Sequence, residues 1–215
     1  MAKRIFVTAT NTDIGKTYTS VKLLKEFAAQ GLRVAAIKPV ETGVIDGVYL
    51  DGAMLLHTIK ELNPECADLS IEDVVPISYE LPAAPYIASK GEPFDFAKVD
   101  VAIAKLEEIC DVLIIEGAGG LYVPVDGTFM IVDLISYFQA NTLLVTHCSL
   151  GCINDTLLSL QTLKNKGLAH VFAFNCRAED SSFSTISEPF FLNNKYDVFK
   201  VSKDIDTICE LLYNL

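Results

Sequence analysis

The sequence predicts an α/β fold of three layers, in which a parallel sheet carries helices on both faces. Two observations support this fold class. Short apolar runs alternate along the chain with segments of helical periodicity. The apolar runs are continuous rather than alternating, which is typical of strands buried on both faces. Since the 215 residues contain no repeat, low-complexity tract or linker, we expect residues 1–215 to form one domain.

The first half of the chain divides into elements at clear stop signals. We expect a strand over residues 5–9, a helix over 17–30 that ends at Gly31, and a strand over 33–37 that ends before Lys38. A longer loop leads to Asp51. A helix is then predicted over residues 53–62, with Asn63-Pro64 as its stop, followed by a loop or broken helix at 82–86 and a helix over 96–109.

The second half contains the strongest predicted strand, residues 111–115, which is followed by a glycine-rich turn over 117–120. Further strands are predicted over 142–146 and 171–174, with a helix over 156–166 between them. The pattern is weaker after residue 180. There we expect a helix, a short strand at 198–201 and a terminal helix.

Composition restricts the function classes. The formal net charge of −11 argues against a nucleic-acid surface, which needs a basic stripe. Neither a bilayer-spanning apolar run nor a signal peptide is evident, so we expect a cytoplasmic protein without a membrane partner. Six cysteines without a CxxC pair indicate reduced thiols. Cys148 and Cys152 are interpreted as small apolar residues rather than as a metal clip.

The clearest motif is a polar loop, residues 10–17, between the first predicted strand and the first predicted helix. It closes on Gly15-Lys16-Thr17, the context of a phosphate-binding loop in which backbone N–H groups and a lysine hold phosphates. The alternative is a simple helix start. The usual first glycine, five residues before Gly15, is Thr10. Asp13 would repel a triphosphate, which suggests a cationic co-substrate nearby.

Other polar residues follow the predicted strands, and ligands of parallel sheets bind at these carboxyl ends. Lys38 is either functional there or a lysine that reaches solvent. Glu116 is typical of a metal-binding carboxylate, with helix or turn capping as the alternative. Asp51 carries a weaker indication, because acids are common at helix starts. Three histidines, which share no metal-ligand spacing, are interpreted as structural: His57, His147 and His170.

Taken together, these motifs resemble those of the dethiobiotin synthetase family up to about residue 176. The resemblance rests on the phosphate loop, on residues 38–43 (KPVETG), 82–85 (PAAP), 116–120 (EGAGG) and 150–154 (LGCIN), and on Asp51 and Asn175. It implies a P-loop NTPase-like sheet and an ATP-dependent cyclo-ligase. In the implied reaction, 7,8-diaminononanoate and CO₂ form a carbamate. MgATP activates the carbamate as a carbamic-phosphoric anhydride, and ring closure releases dethiobiotin, ADP and phosphate.

The resemblance also implies roles for residues of this chain. The catalytic set would be Lys38, Lys16 and Thr12. Mg²⁺ would bind Thr17, Asp51 and Glu116. The nucleotide would contact Asp13, Ile14, Gly15, Lys16, Thr17, Tyr18, Glu116 and, at the adenine, Asn175. The substrate would contact Thr12, Lys38, Thr42, Gly119, Leu150, Gly151, Cys152 and Asn154. Residues 150–154 would act across a homodimer interface, where the partner subunit's substrate tail is bound.

The chain departs from the family pattern at Ala9, where the family has glycine, and at Asp13 and Thr42, where Glu and Ser are usual. Its C-terminal region lacks the family segment that completes the base pocket, so we expect weak preference for ATP over other nucleoside triphosphates. Two alternatives share the fold. A chromosome-partitioning ATPase would carry an additional early lysine in the loop, and a cobyrinate-amidating synthase would carry a further glutaminase domain.

Overall fold

A computed structural model describes residues 2–215. The seven strands of this part of the chain are β1 (Lys3–Ala9), β2 (Val34–Ile37), β3 (Val40–Thr42), β4 (Ile77–Tyr79), β5 (Val112–Gly120), β6 (Asn141–His147) and β7 (His170–Asn175). Five of them form a parallel sheet in the order β2-β5-β1-β6-β7, and β3 pairs in parallel with β4 in a separate small sheet. The central strands β1 and β5 are almost wholly buried, as their continuous apolar runs predict.

The helices cover both faces of the central sheet, which confirms the predicted three-layer α/β fold. Helix α1 packs against α2 and α10, whereas α5, α6 and α7 contact the strands β5 and β6. In chain order the helices are α1 (Lys16–Ala29), α2 (Leu50–Leu62), α3 (Ile71–Val74), α4 (Pro85–Ala88), α5 (Phe96–Glu108), α6 (Ile131–Tyr137), α7 (Cys152–Asn165), α8 (Phe183–Ile186), α9 (Glu188–Asn193) and α10 (Ile205–Asn214).

The expected stop signals end the helices within one or two residues. Helix α1 ends before Gly31, whose φ of +86° gives the left-handed turn typical of a glycine after a helix. Helix α2 ends before Asn63-Pro64, but it begins at Leu50, so Asp51 lies in its first turn rather than in a preceding loop. Helix α7 likewise begins at Cys152, four residues before the predicted start.

Two predicted elements are wrong, and four short elements were not predicted. The glycine-rich turn after Glu116 is the end of β5, where Gly120 pairs with Ala9 of β1. The strand predicted at residues 198–201 is only a single bridge between Lys200 and Phe174, because this segment touches the outer edge of β7 once. The four are the strands β3 and β4 and the helices α3 and α6, which are too short to show a period in the sequence.

A disulfide joins Cys148 to Cys176, which corrects the prediction of six reduced thiols. Its position follows from strand register: His147 and Asn175 are paired neighbours at the ends of β6 and β7, so the next residue of each strand lies beside the other. The Cα atoms of the two cysteines are 5.0 Å apart, within the range that a disulfide spans. The other four cysteines are free and buried: Cys66, Cys110, Cys152 and Cys209.

The histidine contacts agree with structural roles. His147 pairs with Asp155 at 3.0 Å, and His57 pairs with Glu61 at 3.2 Å on the surface of α2. Within residues 2–215 no cluster of three or more His, Cys, Asp and Glu side chains could hold a metal ion. No helix in this part of the chain is long and apolar enough to cross a membrane.

Candidate active site

A cavity of about 820 Å³ opens at the carboxyl edge of the sheet, where the sequence places its polar motifs. The segments that follow β1, β2, β3 and β5 all contribute to it. Its lining residues are Thr12, Asp13, Gly15, Lys16, Thr17, Lys38, Glu41, Thr42, Gly43, Leu50, Asp51, Pro82, Ala83, Ala84, Pro85, Ala118, Gly119, Val123 and Arg177.

The loop between β1 and α1 has the geometry of an anion-binding site. Gly15 lies at the start of α1 with a φ of +96°, and a Cβ there would lie 2.1 Å from Nδ2 of Asn175. Glycine is therefore required both by the backbone conformation and by the close approach of Asn175. The free N–H groups of the first turn of α1 open at the cavity, and a helix N-terminus favours bound anions.

Lys16 is the first residue of α1 and is mostly buried. Its Nζ donates a hydrogen bond of 3.3 Å to the carbonyl oxygen of Asn11 across the loop. Burial, together with the nearby Lys38 ammonium, lowers the pKa of Lys16 to about 8. A lysine so held is poised for an anionic ligand, because bound phosphate would stabilise its charged form.

Three oxygen ligands meet behind the loop. The Thr17 hydroxyl lies 2.7 Å from Oδ1 of Asp51 and 2.9 Å from Oε1 of Glu116. The other carboxylate oxygen of Glu116 accepts a hydrogen bond of 2.8 Å from Ser20, one turn further along α1. The structure thus brings together the three side chains that the resemblance implies as metal ligands. Thr17 and Asp51 line the cavity, and Glu116, which is fully buried, lies behind them.

Lys38 supplies the positive charge for this cluster. Its Nζ lies 2.6 Å from Oδ2 of Asp51 and 2.8 Å from Oε1 of Glu116, and the residue is 3% exposed. Burial alone would lower the pKa of Lys38, but the attraction of the two carboxylates outweighs it and raises the pKa. The pKa of Asp51 is lowered, because the attraction of Lys38 outweighs its own burial. Lys38 is therefore charged at the cavity wall rather than extended into solvent.

The donor set fits Mg²⁺. Carboxylate and hydroxyl oxygens are the ligands that this hard cation prefers, and it keeps several waters and binds substrate phosphates in addition. Two carboxylates and one hydroxyl converge here without a nitrogen or sulfur donor among the metal-facing atoms. This arrangement is compatible with Mg²⁺, provided that Lys38 gives up part of its contact with the carboxylates.

Glu41 caps helix α2 from inside the protein. Its carboxylate accepts hydrogen bonds from the backbone N–H groups of Asp51 at 3.0 Å and Gly52 at 2.8 Å. The residue is 4% exposed, and a Cβ on Gly52 would lie 2.8 Å from its Oε2 atom. This contact fixes the first turn of α2 and with it the carboxylate of Asp51. Sequence reasoning quoted Glu41 within a motif but assigned it no role.

Arg177 is a cavity residue that sequence reasoning missed. It follows β7 by two residues, and its Nη2 donates a hydrogen bond to the carbonyl oxygen of Asp13. Asn175, at the end of β7, donates a hydrogen bond of 2.8 Å from its Nδ2 to the carbonyl oxygen of Ile14. The segment after the last sheet strand thus contacts the phosphate loop twice. An isolated arginine in a polar segment gave no signal that could have placed it here.

The structure places the predicted residues in three groups. Nine of them line the cavity: Thr12, Asp13, Gly15, Lys16, Thr17, Lys38, Thr42, Asp51 and Gly119. Four adjoin the loop without lining the cavity: Ile14, Tyr18, Glu116 and Asn175. The remaining four lie outside it at the start of α7: Leu150, Gly151, Cys152 and Asn154. Within one chain, the site therefore does not include residues 150–154.

The residues before α7 present an open helix start. Leu150 is 91% exposed, the highest value of any exposed large apolar residue within residues 2–215. Gly151 caps the helix with a φ of +100°, and Cys152 is buried beneath it. Leu150 and Gly151 are accessible to a second molecule, and none of the three residues lines the cavity of its own chain.

These features define a P-loop nucleoside-triphosphate-binding protein. The family profile described as an AAA domain matches residues 3–211. The solved structure of the MinC:MinD cell division complex from Aquifex aeolicus is 14% identical and covers 97% of this chain and 85% of its own, with a TM-score of 0.52. A plasmid partition protein from Borrelia burgdorferi bound to AMPPNP is 10% identical, covers 99% of this chain and 97% of its own, and has the same TM-score of 0.52.

Sequence relatives identify the family to which the chain belongs within the class of P-loop proteins. An ATP-dependent dethiobiotin synthetase from Sulfurovum sp. is 41% identical over 187 residues, which is 87% of this chain and 89% of the relative. The synthetase from Wolinella succinogenes is 32% identical over 213 residues, 98% of each chain. The chain belongs to the family of ATP-dependent dethiobiotin synthetases. Its likeness to partition proteins is one of fold and does not favour the partitioning alternative.

Proposed function

We propose that this protein is an ATP-dependent cyclo-ligase that converts 7,8-diaminononanoate, CO₂ and MgATP to dethiobiotin, ADP and phosphate. The observation that carries the proposal is the buried Lys38 ammonium, which faces the same cavity as Lys16 but from the end of β2 rather than from the start of α1. Lys16 alone would serve the phosphates of a bound nucleotide, and residues 10–14 of the loop carry no second lysine. A second, fixed positive charge suits a reaction in which two anions, a carbamate and a γ-phosphate, must approach each other.

The reaction joins and breaks bonds in three steps. An amine nitrogen of the substrate adds to CO₂ and loses a proton, which gives the carbamate. A carbamate oxygen then attacks the γ-phosphorus, and the bond from that phosphorus to ADP breaks. Finally the second amine attacks the carbamate carbon of the carbamic-phosphoric anhydride, and phosphate leaves as the ring closes. Each step is chiefly a matter of holding weak nucleophiles in place and neutralising charge.

The residues of the cavity divide this work. Lys16 and the N–H groups at the start of α1 would hold the β- and γ-phosphates, and Lys38 would stabilise the carbamate and the transferred phosphoryl oxygens. Thr12 and Thr42 would donate hydrogen bonds to the carbamate or the diamine region beside Gly119. Asp13, whose side chain is exposed at the cavity, would balance the positive charge of the amines.

Thr17, Asp51 and Glu116 would hold Mg²⁺, which when bound neutralises charge on the ATP phosphates. The nucleotide would lie along Ile14 and Tyr18 beside the loop, with its base near Asn175. Because Nδ2 of Asn175 is engaged with Ile14, its Oδ1 atom remains to accept a hydrogen bond from an amino group of the base.

We also propose that the protein is a homodimer, in which the tail of the substrate is bound by the second subunit. Leu150, Gly151, Cys152 and Asn154 lie outside the cavity of their own chain, at an exposed helix start that suits a carboxylate. We place this helix start against the cavity of a second copy of the chain, so that each subunit binds the carboxylate of a substrate held by the other. The reaction would take place in the cytoplasm, with neither nucleic acid nor membrane as a partner.

The test is ADP and phosphate release measured with and without each co-substrate. We expect release to depend on both bicarbonate and 7,8-diaminononanoate, and dethiobiotin to appear in equal amount by mass spectrometry. A matched control is 8-amino-nonanoate, which lacks the second amine and cannot close the ring. ATP hydrolysis that ignores the diamine but rises with DNA or lipid vesicles would contradict the proposal and favour a nucleotide-gated binding module.

A further inference from the structure

Two successive carbonyl oxygens of the phosphate loop accept hydrogen bonds from one short segment of the chain. Arg177 donates to the carbonyl oxygen of Asp13, and Asn175 donates at 2.8 Å to the carbonyl oxygen of Ile14. Asn175 is the last residue of β7 and Arg177 follows it by two, so both donors are more than 160 residues away from the loop in sequence. Cys176 lies between them and is tied to Cys148 by the disulfide, so the segment is fixed to the end of β6 as well.

These two contacts determine where the loop N–H groups point. In a trans peptide the C=O and N–H bonds point in opposite directions, and residues 2–215 contain no cis peptide. A carbonyl of Asp13 that points toward Arg177 therefore turns the N–H of Ile14 away from Arg177, and a carbonyl of Ile14 that points toward Asn175 turns the N–H of Gly15 away from Asn175. Successive N–H groups that point away from this segment form the kind of cradle that binds phosphate.

The loop needs these hydrogen bonds, because its own sequence does not by itself favour the anion-binding conformation. Asp13 has a φ of +57°, a left-handed conformation that costs energy for a residue with a side chain. Between Thr10 and Thr17 the loop has one glycine, Gly15, so Asp13 adopts this turn with its side chain in place. An external hydrogen bond to the carbonyl of Asp13 compensates by favouring this one arrangement.

We propose that Arg177 is a positioning residue that holds the phosphate loop in its anion-binding conformation before the nucleotide arrives. This inference deepens the proposed function and rests on it for the identity of the nucleotide. Arg177 acts through the backbone of Asp13, so its effect extends to every nucleotide whose β-phosphate uses the loop. A base contact would instead depend on the nucleobase, and a direct charge contact would leave the nucleotide-free loop unchanged.

The decisive variant is Arg177→Met, which keeps the aliphatic stem but removes the donor. We expect the Kd of MgADP, measured by calorimetry, to rise about threefold to tenfold, the usual effect of one lost side-chain hydrogen bond. The rise should be similar for MgATP, MgCTP and MgGTP. Arg177→Lys, which can still donate to the Asp13 carbonyl, should recover most of the affinity.

The second measurement uses the nucleotide-free protein. With ¹⁵N-labelled isoleucine and glycine, the amide signals of Ile14 and Gly15 should shift in Arg177→Met and return toward their original positions in Arg177→Lys. Arg33→Met is the matched control, because it removes an exposed arginine that pairs with Asp111 and Glu65 away from the cavity. It should change neither the two amide signals nor the nucleotide affinity.

The inference is overturned if Arg177→Met binds all nucleotides normally, if only one base is affected, or if affinity falls while the free loop signals stay unchanged. Its failure is distinguishable from failure of the proposed function. Absence of diamine-dependent turnover in the unmodified protein would remove the ligase reaction but leave the binding and amide measurements intact.

Discussion

Replacing Lys38 by methionine is expected to destabilise the nucleotide-free protein by about 3–5 kcal/mol, the usual cost of breaking a buried ion pair by removing one partner. Methionine preserves most of the volume of the side chain, so the loss comes from charge rather than from a cavity. The pair is buried on both sides, since the side chains of Lys38 and Glu116 are 4% and 0% exposed. Asp51, at 42% exposure, can regain water and adds little.

The expected change in melting temperature follows from the size of the chain. For a domain of this length, 1 kcal/mol corresponds to about 2–4 °C, so Lys38→Met should lower the melting temperature by about 6–20 °C. The lower end applies if the hydrogen bonds from Thr17 and Ser20 continue to stabilise the carboxylate of Glu116. Mg²⁺ should recover part of the loss, because it restores positive charge to the same oxygen atoms.

The assay is thermal unfolding, followed by circular dichroism, of a double-mutant cycle with Glu116→Gln. The coupling energy between the two positions should be strongly favourable, and the double variant should be more stable than Lys38→Met alone. Turnover should be lost in Lys38→Met, while MgADP binding remains measurable. A melting temperature unchanged in Lys38→Met, or effects that simply add in the double variant, would refute the charge argument.

Three other perturbations have clear expected outcomes. Gly15→Ala should abolish nucleotide binding in calorimetry, because its Cβ would lie 2.1 Å from Asn175, whereas Gly31→Ala, with no atom within 4 Å of its Cβ, should bind normally. Leu150→Asp should shift sedimentation from dimer to monomer and reduce turnover, and Leu158→Asp, at an exposed position within α7, should do neither; a monomeric unmodified protein with full activity would contradict the shared site. Burial raises the pKa of Cys66 to about 11 and that of Cys110 to about 12, so these two thiols of the native protein should not react with Ellman's reagent at pH 8. The unfolded protein should show four thiols without reductant and six after reduction, and six without reductant would disprove the disulfide.

Much of the fold and cavity could be predicted because local patterns encode them. Continuous apolar strands and glycine or proline stops gave the five strands of the central sheet. The proximity of Lys16, Lys38 and Glu116 could be predicted from the sequence, because residues that follow parallel strands meet at one edge of the sheet. Asp51 was placed through the family resemblance, and its position in the first turn of α2 explains why helix-start acids alone are a weak signal.

The contacts that were missed depend on strand register and on distant parts of the chain. The disulfide needs β6 and β7 paired so that Cys148 and Cys176 become neighbours, and no spacing in the sequence reports that register. The Arg177 contact to Asp13 joins residues 164 positions apart. The end of β5 was predicted to be a turn, because its glycines are compatible with a turn as well as with a strand. In the structure it is a strand that packs closely on its neighbours, since a Cβ on Gly117 would lie 2.9 Å from Phe6.

The internal cap on α2 has a consequence for where phosphate can bind. Both α1 and α2 begin at the wall of the same cavity, and each helix start would by itself attract an anion. Glu41 occupies the start of α2 permanently, because its buried carboxylate already accepts the N–H groups of Asp51 and Gly52. The carboxylate of Glu41 therefore keeps phosphate from binding at the start of α2. A triphosphate that enters this cavity can bind only at the start of α1.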